Sequence, residues 1–102
     1  MIKMKQRHRY LLIESGFDII DEKQFSILLS NELMNMLGLN YYKINPKIIS
    51  FLGQNRFIIK CSGVYVDILI LTFTFIKSLN KEPAYFYTLK TSGTIKSIKE
   101  QI

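Results

Sequence analysis

The residues best suited to chemistry in this chain lie between Thr88 and Ile98, in the sequence TLKTSGTIKSI, and the chemistry they fit is anion binding. Strand-like alternation of Tyr85, Tyr87, Leu89 and Thr91 with Phe86, Thr88 and Lys90 gives way to the three-residue spacing of Ile95 and Ile98, one face of a helix. The junction is Ser92-Gly93-Thr94. Ser92 or Thr94 can cap the new helix, Gly93 lets the backbone bend, and the first-turn amides point forward toward a ligand flanked by Lys90, Lys96 and Lys99. The same three residues would also serve as an ordinary strand-to-helix turn with no ligand. A second cationic stretch opens the chain: Lys3, Lys5, Arg7 and Arg9 recur at every second position, with His8 among them. In an extended arm they would share one side and match a phosphate backbone; as a chain start they could also be a solvated terminus.

Nothing comparable supports bond-making chemistry. His8 has no nearby residue to complete a dyad, and Cys61, the single cysteine, has no activating neighbour and reads as a small buried apolar residue. The eight carboxylates are scattered through Glu14, Asp18, Asp21, Glu22, Glu32, Asp67, Glu82 and Glu100 without a metal-binding cluster. One histidine and one cysteine leave no ligand set for a structural zinc and no internal disulfide, which points to a reducing compartment. The formal charge of +6, from 14 basic against 8 acidic residues, favours a polyanionic partner, nucleic acid first. No apolar run long enough for a signal peptide precedes Glu14, so the expected location is intracellular.

The elements that must position these groups fit one domain of 102 residues. Residues 1–8 read as the basic arm and 9–102 as the domain. Arg9–Glu14 is the first strand, apolar on both parities and therefore central and covered on both faces. After Ser15-Gly16, Phe17–Ile20 is too apolar for a free loop. Asp21 opens a helix whose Phe25, Leu28, Leu29, Leu33, Met36 and Leu37 recur at three- and four-residue intervals, with Gly38 as its stop. Met34 and Met36 are expected to fill core. Leu39–Pro46 reads as a polar and aromatic connection.

Lys47–Leu52 and Arg56–Cys61 form a hairpin through Gly53-Gln54-Asn55. Its second arm is expected to bury Phe57, Ile59 and Cys61 and to show Arg56, Ile58 and Lys60 on a wet, cationic face. Val64–Ile76 has the propensity of a strand but the length of a helix, and its place in the order makes it a helix that is apolar nearly all round. It is too short to span a bilayer, so no membrane role is expected, and its second face needs a cover that another protein could supply. Asn80–Pro83 closes it, before the last strand and helix.

The order is strand, helix, strand, strand, helix, strand, short helix: an α/β (α+β) ferredoxin-like βαββαβ sandwich with an antiparallel sheet and an extra C-terminal helix. Fold alone does not decide function. HRYLL at the head of the first strand and SGTIKS after the last, expected on neighbouring central strands, resemble the small ferredoxin-like protein subunit of archaeal and eukaryotic ribonuclease P, the processing-of-precursors five family, whose members also serve ribonuclease MRP. The order of elements agrees along nearly the whole chain. A compact first loop and the lack of an acidic C-terminal tail depart from eukaryotic relatives.

The resemblance implies a non-catalytic subunit that supports a catalytic RNA in removing the 5′ leader from precursor tRNA, with Mg²⁺ bound by the RNA and no cofactor on this chain. Its RNA-binding residues would be Lys3, Lys5, Arg7, His8, Arg9, Lys90, Ser92, Gly93, Thr94, Lys96 and Lys99. The partners implied are ribonuclease P RNA, precursor tRNA indirectly, a larger barrel-shaped protein subunit, and a second ferredoxin-like chain or a second copy. The apolar first loop (Phe17, Ile19, Ile20) and second helix (Tyr65, Ile68, Thr72, Phe75) would meet the protein partners. Nucleus or nucleolus is expected if the source is eukaryotic, cytoplasm if archaeal. Two other classes stay open. A stand-alone RNA-recognition module would stack bases on sheet aromatics, but RFIIKC lacks that pattern. A ligand-sensing domain or small hydrolase would have no use for a basic arm.

Overall fold

The computed structural model describes residues 7–99. The positions expected to form the outer arm, Lys3 and Lys5 among them, lie outside the described residues, as does Glu100.

Four long strands form one antiparallel sheet: β1 (His8–Ser15), β2 (Lys47–Leu52), β3 (Arg56–Ser62) and, after two short strands β4 (Ser78–Leu79) and β5 (Glu82–Pro83), β6 (Phe86–Ser92). The order across the sheet is β2-β3-β1-β6, the ferredoxin-like arrangement expected. β1 is therefore central but β6 is an edge strand, so the two motif-bearing strands are neighbours without both being central. The covering helices are α1 (Glu22–Leu37) and α3 (Val66–Phe75) on one face and α4 (Ile95–Lys99) on the other, with α2 (Asn40–Ile44) linking α1 to β2.

The double parity of β1 finds its explanation in two cores. Leu11 and Ile13 join Phe25, Leu29, Leu33, Leu69 and Phe73 beneath α1 and α3. Leu12, between them, points the other way and is buried with Ile58 of β3 and Ile98 of α4. The first core is built on phenylalanines, with Phe25 and Phe57 ring centroids 5.3 Å apart and Phe73 5.5 Å from Phe86. Tilted and edge-on ring contacts of this kind add to the burial of large apolar area. The second core corrects the sequence reading of β3. Alternation puts Ile58 on a wet face, but α4 folds back over the sheet and leaves it fully buried, flanked by half-buried Arg56 and Lys60.

α1 begins and ends at the residues its sequence signals mark. The Asp21 carboxylate accepts from the Gln24 amide at 3.0 Å, the N-cap bond that satisfies an orphan donor, and Gly38 ends the helix at φ +59°, a conformation glycine adopts without a Cβ penalty. Met34 and Met36 do not fill core; both are exposed, because Phe25, Leu29 and Leu33 already supply the buried stripe. The 39–46 connection contains the short α2, pinned by fully buried Ile44. The ambiguous 64–76 stretch is a helix: a 3₁₀ turn at Gly63–Tyr65 leads into α3. β4 and β5 form a tight hairpin with Asn80 and Lys81 both at positive φ, an element that sequence pattern alone does not separate.

Candidate nucleic-acid interface

Antiparallel pairing brings the two cationic motifs to one end of the sheet. Tyr10 of β1 lies opposite Ser92 of β6, so His8 and Arg9, at the head of β1, stand beside the Ser92-Gly93-Thr94 turn. A Cβ built on Gly93 would come 3.2 Å from Arg9 Nη1. Glycine leaves room there for the Arg9 guanidinium. Gly93 does not have a positive φ, so its backbone conformation is open to other residues, and what a side chain there would meet is the Arg9 guanidinium.

The turn is capped as its sequence suggests. The Thr94 amide donates to Ser92 Oγ at 3.2 Å, and the Ser97 amide donates to Thr94 Oγ1 at 3.3 Å. These bonds also correct the anion-site reading. The Thr94 and Ser97 amides, which that reading would aim at a ligand, are taken by the chain's own hydroxyls. Lys90 is likewise drawn inward: its Nζ donates to the Ser97 carbonyl at 3.2 Å, tying β6 to α4. Arg7, His8, Arg9, Lys96 and Lys99 are exposed.

Register reveals cations that sequence spacing does not bring together. Lys47 of β2 is directly opposite Lys60 of β3, and Lys60 is opposite Tyr10 of β1. Residues paired in this way point to the same face, so Lys47, Lys60, Tyr10 and Ser92 form a row across all four strands, on the face that carries α4. Like charges directly opposite on neighbouring strands repel. Among the described residues the single ion pair is Arg56–Glu14, at 3.2 Å and the other end of the sheet, so no carboxylate offsets the two lysines. The alternation in β3 points to Lys60; Lys47 needs the hairpin register.

Gly63 holds this end together. Its amide donates to the Arg7 carbonyl at 2.7 Å, and a Cβ there would sit 2.8 Å from that oxygen and 3.0 Å from Arg9 Cγ. Ser62-Gly63 is thus more than a strand terminator: it admits the basic start of β1 at van der Waals contact.

The residues assigned to protein partners divide. In α3, Ile68 and Phe75 are exposed, and Val64 and Leu71, at compatible helical spacing, extend them into one apolar stripe. Thr72 is not part of it. It is buried, with its hydroxyl donating to the Ile68 carbonyl at 2.8 Å. Tyr65 packs on the core. In the first loop Phe17 and Ile19 also pack inward, Phe17 edge-on to Phe25 and Phe86, whereas Ile20 is 93% exposed. Cys61 is buried, which pushes its thiol pKa up to about 11 and disfavours the nucleophilic thiolate. The described residues contain no group of three or more His, Cys, Asp or Glu side chains placed to hold a metal, and no helix long and apolar enough to cross a membrane.

The model of the Rpp14/Pop5 family matches residues 9–102. The chain belongs to the Rpp14/Pop5 family. As a member it is a protein subunit of the ribonuclease P/MRP class. A chain in the cryo-EM structure of yeast ribonuclease MRP has the same fold, with a TM-score of 0.71 over 98% of this chain and 94% of that one at 14% identity. No curated protein sequence matches significantly.

Proposed function

We propose that this subunit holds the catalytic RNA of its particle through the basic end of its sheet and so supports removal of the 5′ leader from precursor tRNA, or the related processing by ribonuclease MRP, without contributing a reacting group. The observation that carries the reading is that Arg9, beside Gly93, and the Lys47–Lys60 row, which has no ion-pair partner among the described residues, stand at the same end of the sheet on its two faces. Such a surface follows a phosphate backbone. Catalysis would rest on Mg²⁺ held by the RNA, and precursor tRNA would be met indirectly. The apolar stripe of α3 would seat a protein partner, either a barrel-shaped subunit or a second ferredoxin-like chain, and a eukaryotic source would place the assembly in the nucleus or nucleolus. α4 disfavours the stand-alone RNA-recognition reading, because Ile98 lies on Leu12 and Ile58, where bases would otherwise stack on the open sheet.

Native purification followed by sequencing of co-purified RNA should return one structured RNA, and particles reconstituted with Arg9→Ala plus Lys60→Ala should cleave precursor tRNA more slowly at moderate salt than those with the natural chain. Recovery of no specific RNA, or unchanged cleavage across salt concentrations, would remove the basis of the proposal.

A further inference from the structure

At the opposite end of the sheet, the first loop, the start of α1 and the β4–β5 hairpin enclose an open groove of about 430 Å³. Its floor reaches the core: Phe25, Leu79 and Ala84 are buried, and Leu28 is half-buried beside them. Its rim carries three charged side chains, Asp18, Asp21 and Glu82, all acidic and all exposed. That is a local reversal in a chain of net charge +6. Asp21 is partly engaged as the α1 cap; Asp18 and Glu82 have no ion-pair partner among the described residues. Lys23 and Lys81 adjoin the rim in sequence without lining the groove. At the lip stands Ile20, a large apolar side chain with almost its whole surface in water.

We infer that this groove is a docking slot for a segment of a protein partner that presents one or more large apolar side chains flanked by lysine or arginine. The inference rests on reading the chain as a subunit that works among protein partners. An apolar floor gives affinity by removing side-chain surface from water, and a rim of one sign selects the partner's charge and fixes its approach. RNA is the wrong occupant, since its phosphates would meet three carboxylates. The volume lies within the range of pockets that hold side-chain-sized or larger groups. Because the groove and the basic row lie at opposite ends of the strands, a protein segment and an RNA could be held at the same time.

The test uses the full chain without RNA. Two short synthetic helical peptides, each with leucines at i and i+4, are compared by fluorescence anisotropy: one flanked by arginines, the other by glutamates in their place. The arginine peptide should bind at least about tenfold more tightly, with affinity falling as salt is raised. Asp18→Asn with Glu82→Gln should erase that preference, and Ile20→Ser, which removes apolar surface without adding charge, should weaken both peptides while the melting temperature stays unchanged; this substitution lies on the surface and should not disturb folding. Equal binding of both peptides, binding of neither, or perturbation of the α3 stripe rather than Leu28 and Ala84 in amide spectra would overturn the inference. Salt-sensitive RNA binding measured separately on the same rim variant should match the natural chain. A groove failure with intact RNA binding sinks only this inference, whereas intact peptide binding with no RNA binding sinks only the RNA proposal.

Discussion

The two ends of the sheet are made from the same strands yet differ in charge and in what their surfaces offer a neighbour. At the end where β1 starts and β6 finishes, backbone atoms and glycines clear space for cations: Gly63 admits the Arg7 carbonyl and Arg9, and Gly93 admits the Arg9 guanidinium. At the end where β1 finishes, three of the eight carboxylates, Asp18, Asp21 and Glu82, rim an apolar groove, and Glu14 lies near the end of β1 itself. Glu14 there meets Arg56 across the strand pair, and the Asp21 carboxylate caps a helix. Charge in the acidic half is thus partly used inside the chain, while the Lys47–Lys60 pair in the basic half faces only like charge. The lesson is about where cost is tolerated. A fold selected for stability alone would put a carboxylate opposite Lys60, and under the proposed function the repulsion left in place is relieved by RNA phosphates.

The largest expected effect follows from that contrast. Replacing Arg7, Arg9, Lys47, Lys60 and Lys96 together by Ala should flatten the dependence of log affinity for the particle RNA on log salt by about 3.5 to 4.5, at about 0.7 to 0.9 for each phosphate no longer neutralised. Neutralising Asp18 and Glu82 should leave the slope alone. Comparable changes from both sets would show that net charge, not the polarity of the molecule, governs binding.

How much of this contrast can be read from the chain varies by residue. The elements are legible because their periodicity is strong. Even the 64–76 stretch, strand-like by propensity, obeys length and position in the order. The two terminal motifs are legible because the β1–β6 neighbour relation follows from topology. What local sequence does not show is contact between distant residues. Ile58 alternates like a wet-face residue, and only α4, some forty positions later, makes it core. Lys90 reads as one more free cation until the Ser97 carbonyl is placed beside it. Lys47 and Lys60 acquire their meaning from hairpin register, and Gly63 from a strand that ends nearly fifty residues earlier in the chain. Thr72 reads as an outward residue yet is buried, because a helix apolar all round gives no periodic signal of which side is inward.

A middle-sized effect sharpens the basic half. Gly63→Ala would force the new Cβ to within 2.8 Å of the Arg7 carbonyl oxygen, a backbone atom that cannot rotate away. Overpacking of this kind costs about 1–3 kcal/mol, and each kcal/mol lowers Tm by about 4–8 °C in a domain of this size. Hydrogen exchange should rise first in the Gly63 amide and at the head of β1, because the Gly63–Arg7 bond is the one displaced. Uniform loss of protection across β2, β3 and β6 would mean instead that Gly63 supports the whole sheet rather than one end.

The smallest effect is the most discriminating, because it separates the glycine that supports the fold from the glycine that supports a surface. At Gly93 the atom met by a new Cβ is Arg9 Nη1, the far end of a flexible side chain, at 3.2 Å. Gly93→Ala should therefore leave Tm nearly unchanged while turning the guanidinium aside, with a few-fold loss of RNA affinity; Gly93→Val, with its branched side chain, should lose more. Thr94→Ala is the stability control, since removing a helix cap costs about 1 kcal/mol and should loosen α4 over Leu12 and Ile58. If Gly93 acts by placing Arg9, the two positions must couple: Gly93→Ala should cost affinity in the natural chain and almost none once Arg9 is already Ala, the signature of a double-mutant cycle between residues in contact. Additive losses would show that Gly93 contributes through the turn's own backbone. A Tm that falls in step with affinity would show that the turn serves the fold alone, and the contrast between the two glycines would disappear.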